Sequence, residues 1–187
     1  MVKTSFLSRK QLLQMGFGHL GKNVLISRNA TFYDCSKIWI GDNVRIDDFC
    51  LLSGDINIGS NIHIGAYCAL YGSYGIVMED YSGLSPKCML FSATDDFGGD
   101  YFISPMQPAE YTNVTGGKVH IMRFCQLGAG TVVMPEITIE EGTVTGACTL
   151  VNRNLKTWSV YTGIPAKFLR ERKKGVLDKY EHIVSGD

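Results

Sequence analysis

The chain has 187 residues, of which 45% are hydrophobic, enough for one domain around a continuous core. Its 18 basic and 18 acidic residues cancel, leaving no overall field to draw it to nucleic acid or to an acidic membrane surface. No apolar run near the N-terminus is long enough for a signal peptide or a membrane span, and a cytoplasmic location is expected.

Ser8 followed by Gln11 spells a capping box, and Gly16 and Gly18 stop what it starts. The spacing predicts a short helix over residues 8–16, with Leu12, Leu13, Met15 and Phe17 on an apolar side that plugs the open end of the next unit. Residues 1–18 are assigned to this cap, because an exposed end of a strand array presents unpaired edges.

From residue 20 onward the chain is written in sixes. Leu20, Ile26 and Phe32 open the frame, Ile40, Ile46 and Leu52 continue it after a two-residue slip, and Ile58, Ile64 and Leu70 follow without one. Met78, Leu84 and Leu90 resume after a second slip, and Ile121, Leu127, Val133, Ile139, Thr145 and Val151 complete the series. This period matches neither a helix nor a plain alternating strand; it matches a solenoid whose six-residue unit is one short strand plus a corner. With three sixes to a coil, every interruption falls after the third six, so all insertions belong to one corner of a prism. The fifth position of each six is a smaller inward residue, and Cys50, Cys68, Cys88 and Cys125 all occupy it. They read as core thiols rather than metal ligands, no C-x-x-C pair exists, and six unpaired cysteines imply a reducing compartment. Asp42-Asn43, Asp47-Asp48 and Ser60-Asn61 are expected to be corner chemistry.

The longest interruption, residues 96–120, leaves the coil at Asp95-Asp96 and runs through Pro105, Pro108 and Gly116-Gly117 to His120. A loop of that length inside a compact domain is expected to be functional, and the acceptor site is placed there, with Tyr71, Asp96 and Tyr101 as acceptor contacts. After the last sixes, Pro165 stands where a helix is favoured to begin. A helix is therefore expected from Pro165 to Gly175, carrying Lys167, Arg170, Arg172, Lys173 and Lys174. Residues 19–164 form the coiled body and 165–187 the C-terminal helix and tail.

On Ile40-Gly41-Asp42-Asn43-Val44, Ile58-Gly59-Ser60-Asn61-Ile62, Leu127-Gly128-Ala129-Gly130 and the ending Tyr161-Thr162-Gly163-Ile164-Pro165-Ala166-Lys167, the chain resembles the hexapeptide-repeat acyltransferases. It looks most like the galactoside and maltose acetyltransferase branch and the sugar acetyltransferases of bacterial surface-polysaccharide clusters. The resemblance implies an all-β fold: a left-handed parallel β-helix of hexapeptide repeats with a short N-terminal helix, one long protruding loop and a C-terminal helix. The left hand comes from the resemblance alone, since ordinary parallel crossovers are right-handed.

The resemblance also implies acetyl-CoA as co-substrate, lying in a groove between subunits of a homotrimer, with no metal and with a sugar or nucleotide sugar as acceptor. It places the pantetheine arm against Gly128, Ala129, Gly146 and Ala147, and basic residues near the cofactor's nucleotide end at Arg153 and Lys167. Where the galactoside branch has a catalytic His, this chain has Asp95, and an ordinary carboxylate is a weak base for a sugar hydroxyl. Asp95 ranks first as base, His63 second and His120 third. O-acetylation of a sugar is the leading expectation. N-acetylation of a nucleotide-linked amino sugar is the alternative, because an amine needs less help than a hydroxyl. Two other classes share this fold: a zinc enzyme of the γ-type carbonic anhydrase kind, opposed by four scattered His, and a non-catalytic trimeric scaffold.

Overall fold

The structure, a computed structural model, describes residues 5–185; the first four residues of the expected cap and the last two of the tail lie outside them. Strands of two to ten residues wind into a left-handed parallel β-helix with three faces. The first face stacks Leu20, Ile40, Ile58, Met78, Ile121, Ile139 and Leu155 in register. The second stacks Ile26, Ile46, Ile64, Leu84, Leu127, Thr145 and Tyr161. The third stacks Phe32, Leu52, Leu70, Leu90, Val133 and Val151. All but Leu155 and Tyr161 are the first letters of the sixes, and all but Leu20, Phe32, Thr145 and Tyr161 are at most 1% exposed.

Leu51–Ile58 and Ala69–Met78 run unbroken from the third face round its corner into the first, joining those faces into one sheet. That corner takes every insertion, as the frame requires: Asp34 to Lys37, the extra residues near Gly72 to Gly75, and the long loop. The core thiols of Cys50, Cys68, Cys88 and Cys125 donate to backbone carbonyls of the adjoining corners, Gly65, Ser85, Gly128 and Glu140, at 3.1–3.3 Å. Burial pushes the Cys125 thiol up to about 12, so it is inert at neutral pH.

Helix α1 (Arg9–Gln14) forms with its capping box intact: the Gln11 amide donates to Ser8 Oγ, and the Ser8 amide donates to Gln11 Oε1 at 3.0 Å. Leu12 is buried against the first coil, but Leu13 is 61% exposed. One residue turns a helix by about 100°, so a six-residue helix lying on a flat prism end buries only one of two adjacent leucines.

The expected helix from Pro165 does not form. Residues Lys167–Glu171 are instead a strand, antiparallel to Ser159–Thr162 on the second face. The last coil leaves a bare edge there, and a hairpin through Gly163 (φ +99) satisfies it. A helix over the same residues would leave that edge unpaired. The C-terminal helix, α2 (Val176–Ser185), begins after Gly175. Its Tyr180 packs edge-on against Tyr81 and Phe124, and Arg123 lies over the Phe124 and Tyr180 rings at 5.0 and 4.9 Å.

Candidate active site

The long loop departs where Leu90 completes the fourth coil. Ser92 is fully buried and turns the chain: its hydroxyl donates to Tyr71 O and accepts from the Tyr74 amide. Ala93–Asp95 then pairs antiparallel with Val114–Gly116, Asp95 opposite Val114, so the loop leaves and returns as one two-stranded ribbon. The Tyr74 hydroxyl, from the second insertion at this corner, donates to Val114 O at 3.1 Å. Neighbouring insertions thus brace each other.

Between this ribbon and the third face lies a cavity of about 530 Å³, lined by Tyr71, Ser73, Thr94, Asp95, Ser104 and Thr112, with Ala93, Pro105 and Val114 as its apolar part. The Tyr71 ring stacks on Phe91, centroids 5.2 Å apart and planes within 6°. Asp95 is half-buried, and among the described residues its carboxylate accepts no hydrogen bond. A half-buried carboxylate without a protein partner, ringed by hydroxyls, suits a ligand that is cationic or carries an acidic N–H or O–H.

The other candidates fall in different places. Asp96 holds the loop rather than the cavity, its carboxylate accepting from the Gly98 amide at 2.7 Å and from Asn113 Nδ2 at 3.4 Å. Tyr101 lies further out on the loop and is 44% exposed. His63 is on the second face, its Nε2 2.7 Å from Asp47, whose other oxygen accepts from Arg45. His120 is on the first face, 2.7 Å from Glu79, which also accepts the Arg123 amide. Among the described residues neither imidazole hydrogen-bonds to Asp95 or lines its cavity. The hydroxyls of Ser73, Thr94, Ser104 and Thr112 escaped sequence reasoning; only the slip before Ile76 pointed to Ser73.

Gly128, Ala129, Gly146 and Ala147 form one column on the corner between the second and third faces. The amides of Gly128 and Gly146 are used by the solenoid, donating to Thr145 O and Tyr161 O. A Cβ at Gly128 would sit 2.6 Å from the Gly146 backbone, so stacking of coils alone requires that glycine. Lys167 joins this corner through Thr162, its strand partner, which packs on Gly146. Arg153 follows the last strand of the third face and sits at the opposite corner. Among the described residues no group of His, Cys, Asp and Glu could hold a metal ion.

No family model matches the chain. It is 39% identical over 177 residues to dTDP-4-amino-4,6-dideoxy-D-glucose acyltransferase from Escherichia coli, covering 93% of this chain and 92% of that protein. It superposes on AntD, an N-acyltransferase from Bacillus cereus in complex with dTDP and 3-hydroxybutyryl-CoA, with a TM-score of 0.96, 40% identity and 98% of each chain covered. A maltose O-acetyltransferase from Clostridium difficile 630 shares the fold alone, with a TM-score of 0.60 at 21% identity over 89% of this chain and 75% of that one. With its six-residue frame, its prism and relatives of this identity and extent, the chain belongs to the hexapeptide-repeat sugar acyltransferases, enzymes that take their acyl group from CoA.

Proposed function

We propose that this enzyme transfers an acyl group from CoA to the amine of a nucleotide-linked amino-deoxy sugar of the dTDP-4-amino-4,6-dideoxyhexose class. The observation that carries the reading is Asp95: a carboxylate in a hydroxyl-lined cavity with no partner among the described residues, while both imidazole candidates lie on other faces, engaged with Asp47 and Glu79. A carboxylate holds an ammonium well and accepts its last proton late, whereas a sugar hydroxyl needs a stronger base. Similarity to the two N-acyltransferases supports the same choice, so N-acylation displaces O-acetylation as the leading reading.

In the reaction the amine nitrogen attacks the thioester carbonyl and a C–N bond forms. The C–S bond then breaks, the nitrogen's proton passes to Asp95, and Asp95 passes it on to the CoA thiolate, which leaves as the thiol while the carboxylate is restored. Tyr71 and the hydroxyls of Ser73, Thr94 and Thr112 orient the sugar. The small corner residues from Gly128 to Ala147 let the cofactor arm approach the backbone. A homotrimer in the cytoplasm, with cofactor and acceptor held between copies, is part of this proposal.

The test is mass spectrometry of products after incubation with acetyl-CoA or 3-hydroxybutyryl-CoA and a panel of nucleotide-linked amino sugars and neutral sugars. One acyl group gained on the amino sugar and stable to mild base is expected. A base-labile acyl group on a neutral sugar would instead establish O-acylation.

A further inference from the structure

The corner between the first and second faces changes character partway along the prism. In the first three coils it is turned by Asn23, Asn43 and Asn61, left-handed residues whose side chains hydrogen-bond in a ladder at 2.9 and 3.1 Å. In the fourth and fifth coils Tyr81 and Phe124 take the same left-handed backbone, which a bulky side chain adopts only at a cost. Their rings stack, centroids 5.6 Å apart, and α2 crosses over them through Tyr180. Yet α2 buries none of its own residues, because a cavity of about 320 Å³ lies between it and the second face. A helix of ten residues is marginal on its own, so its hold on the prism rests on what fills that space.

The apolar walls are the rings of Tyr81, Phe124 and Tyr180 with Val176 and Ile183. The charged groups are Arg172 and Lys179, and among the described residues no carboxylate lines the cavity. At 100° per residue, Asp178 and Glu181 fall on the far side of α2 from Val176 and Ile183. Arg172 uses Nη1 to donate to Phe124 O and Gly142 O, at 2.7 and 2.8 Å. Among the described residues its Nε and Nη2 donate to nothing, and neither Arg172 nor Lys179 has an acidic partner. Burial pulls the Arg172 guanidinium down from its ordinary value, as it does for a cation taken from water without an anion to answer it.

We infer that this cavity is a binding site for an amphiphilic carboxylate of the size of a medium-chain fatty acid. The carboxylate meets the free edge of Arg172 together with Lys179, and the chain lies between the rings and Ile183. The volume holds about ten water-sized groups at about 30 Å³ each, which octanoate matches. The site is a corner away from Asp95 and across the second face from Gly128 and Gly146, so the proposed acyl transfer does not depend on it. Its occupant fastens α2 to the prism.

The experiment is calorimetric titration of octanoate into the wild type, Lys179→Met and Ile183→Asp, with 1-octanol as the neutral probe. Hydrogen exchange, acyl-CoA kinetics and light scattering accompany it. The wild type is expected to bind octanoate saturably and octanol at least about tenfold more weakly, with slower amide exchange across α2 in the complex. Lys179→Met loses several-fold affinity. Ile183→Asp, which brings a carboxylate to the cavity, loses nearly all of it, and both variants keep the parent kcat and mass. The absence of saturable binding overturns the site, as does octanol binding as tightly as octanoate or unchanged affinity in Lys179→Met. Competition between octanoate and acyl-CoA would give the cavity to the cofactor instead, and a fall in mass in Ile183→Asp would give it to a contact between copies.

Discussion

In the proposed reaction Asp95 decides between acceptors because its chemistry is limited. A carboxylate can hold an ammonium and take its proton once the new C–N bond has made that proton acidic, but it deprotonates a free hydroxyl poorly. Replacing Asp95 by Asn keeps the shape and removes the base, which is expected to lower kcat by about 10²–10⁴ at neutral pH. The residual rate should rise with pH as free amine accumulates, and the melting temperature should hold. His63→Gln and His120→Gln should leave kcat within about twofold, because each imidazole serves a carboxylate of its own face, Asp47 or Glu79. Steady-state pH profiles of the three variants check this. A His120 variant with the kinetic defect assigned to Asp95 would return the imidazole to the site. The sequence placed Asp95 ahead of the two imidazoles on position alone, and it could not tell that both imidazoles are already engaged, because their partners lie 16 and 41 residues away.

The elements that position Asp95 are insertions rather than strands. The solenoid supplies a rigid edge, and the two-stranded ribbon of Ala93–Asp95 with Val114–Gly116 is held to it by two hydroxyls, that of Ser92 on Tyr71 O at its base and that of Tyr74 on Val114 O. Tyr74→Phe removes that bond, whose net worth is about 0.5–1.5 kcal/mol. The ribbon should loosen, with the acceptor KM rising several-fold, kcat/KM for acyl-CoA little changed and the melting temperature lower by a few degrees at most. Steady-state kinetics with each substrate varied in turn separates these effects. The location of this loop was legible in the frame, because every slip falls at one corner. Its internal pairing was not, since residues 96–120 carry no period and their order comes from contacts with Ser92 and Tyr74. The C-terminal misreading has a related cause. Pro165 followed by basic residues looks locally like a helix start, but Lys167–Glu171 answers a bare strand edge, and that need is set by the coil beneath it.

For the molecule as a whole, the frame predicted so much because a coil makes each inward residue the neighbour of its counterpart one turn away. Ile40, Ile58 and Met78 touch whatever the rest of the chain does. The same geometry makes stability nearly one-dimensional: each coil rests on two neighbours, and the ends rest on caps. α1 closes the N-terminal end through one fully buried side chain, Leu12, and through Arg9, which donates to the carbonyls of Gly21 and Leu20. Leu12→Ala should cost about 2–5 kcal/mol where it acts, but it should act at one end. Amide exchange should quicken through the first coil, from His19 to Tyr33, while Ile121 to Val151 keep the protection of the parent, because opening at one end need not propagate through the coils between. Site-resolved hydrogen exchange distinguishes this from uniform loss of protection, which would mean that the prism unfolds as one cooperative unit. In the local case turnover should survive, since the Asp95 cavity lies beside the fourth coil, three coils from the one α1 covers. In the uniform case it should fall with the global stability.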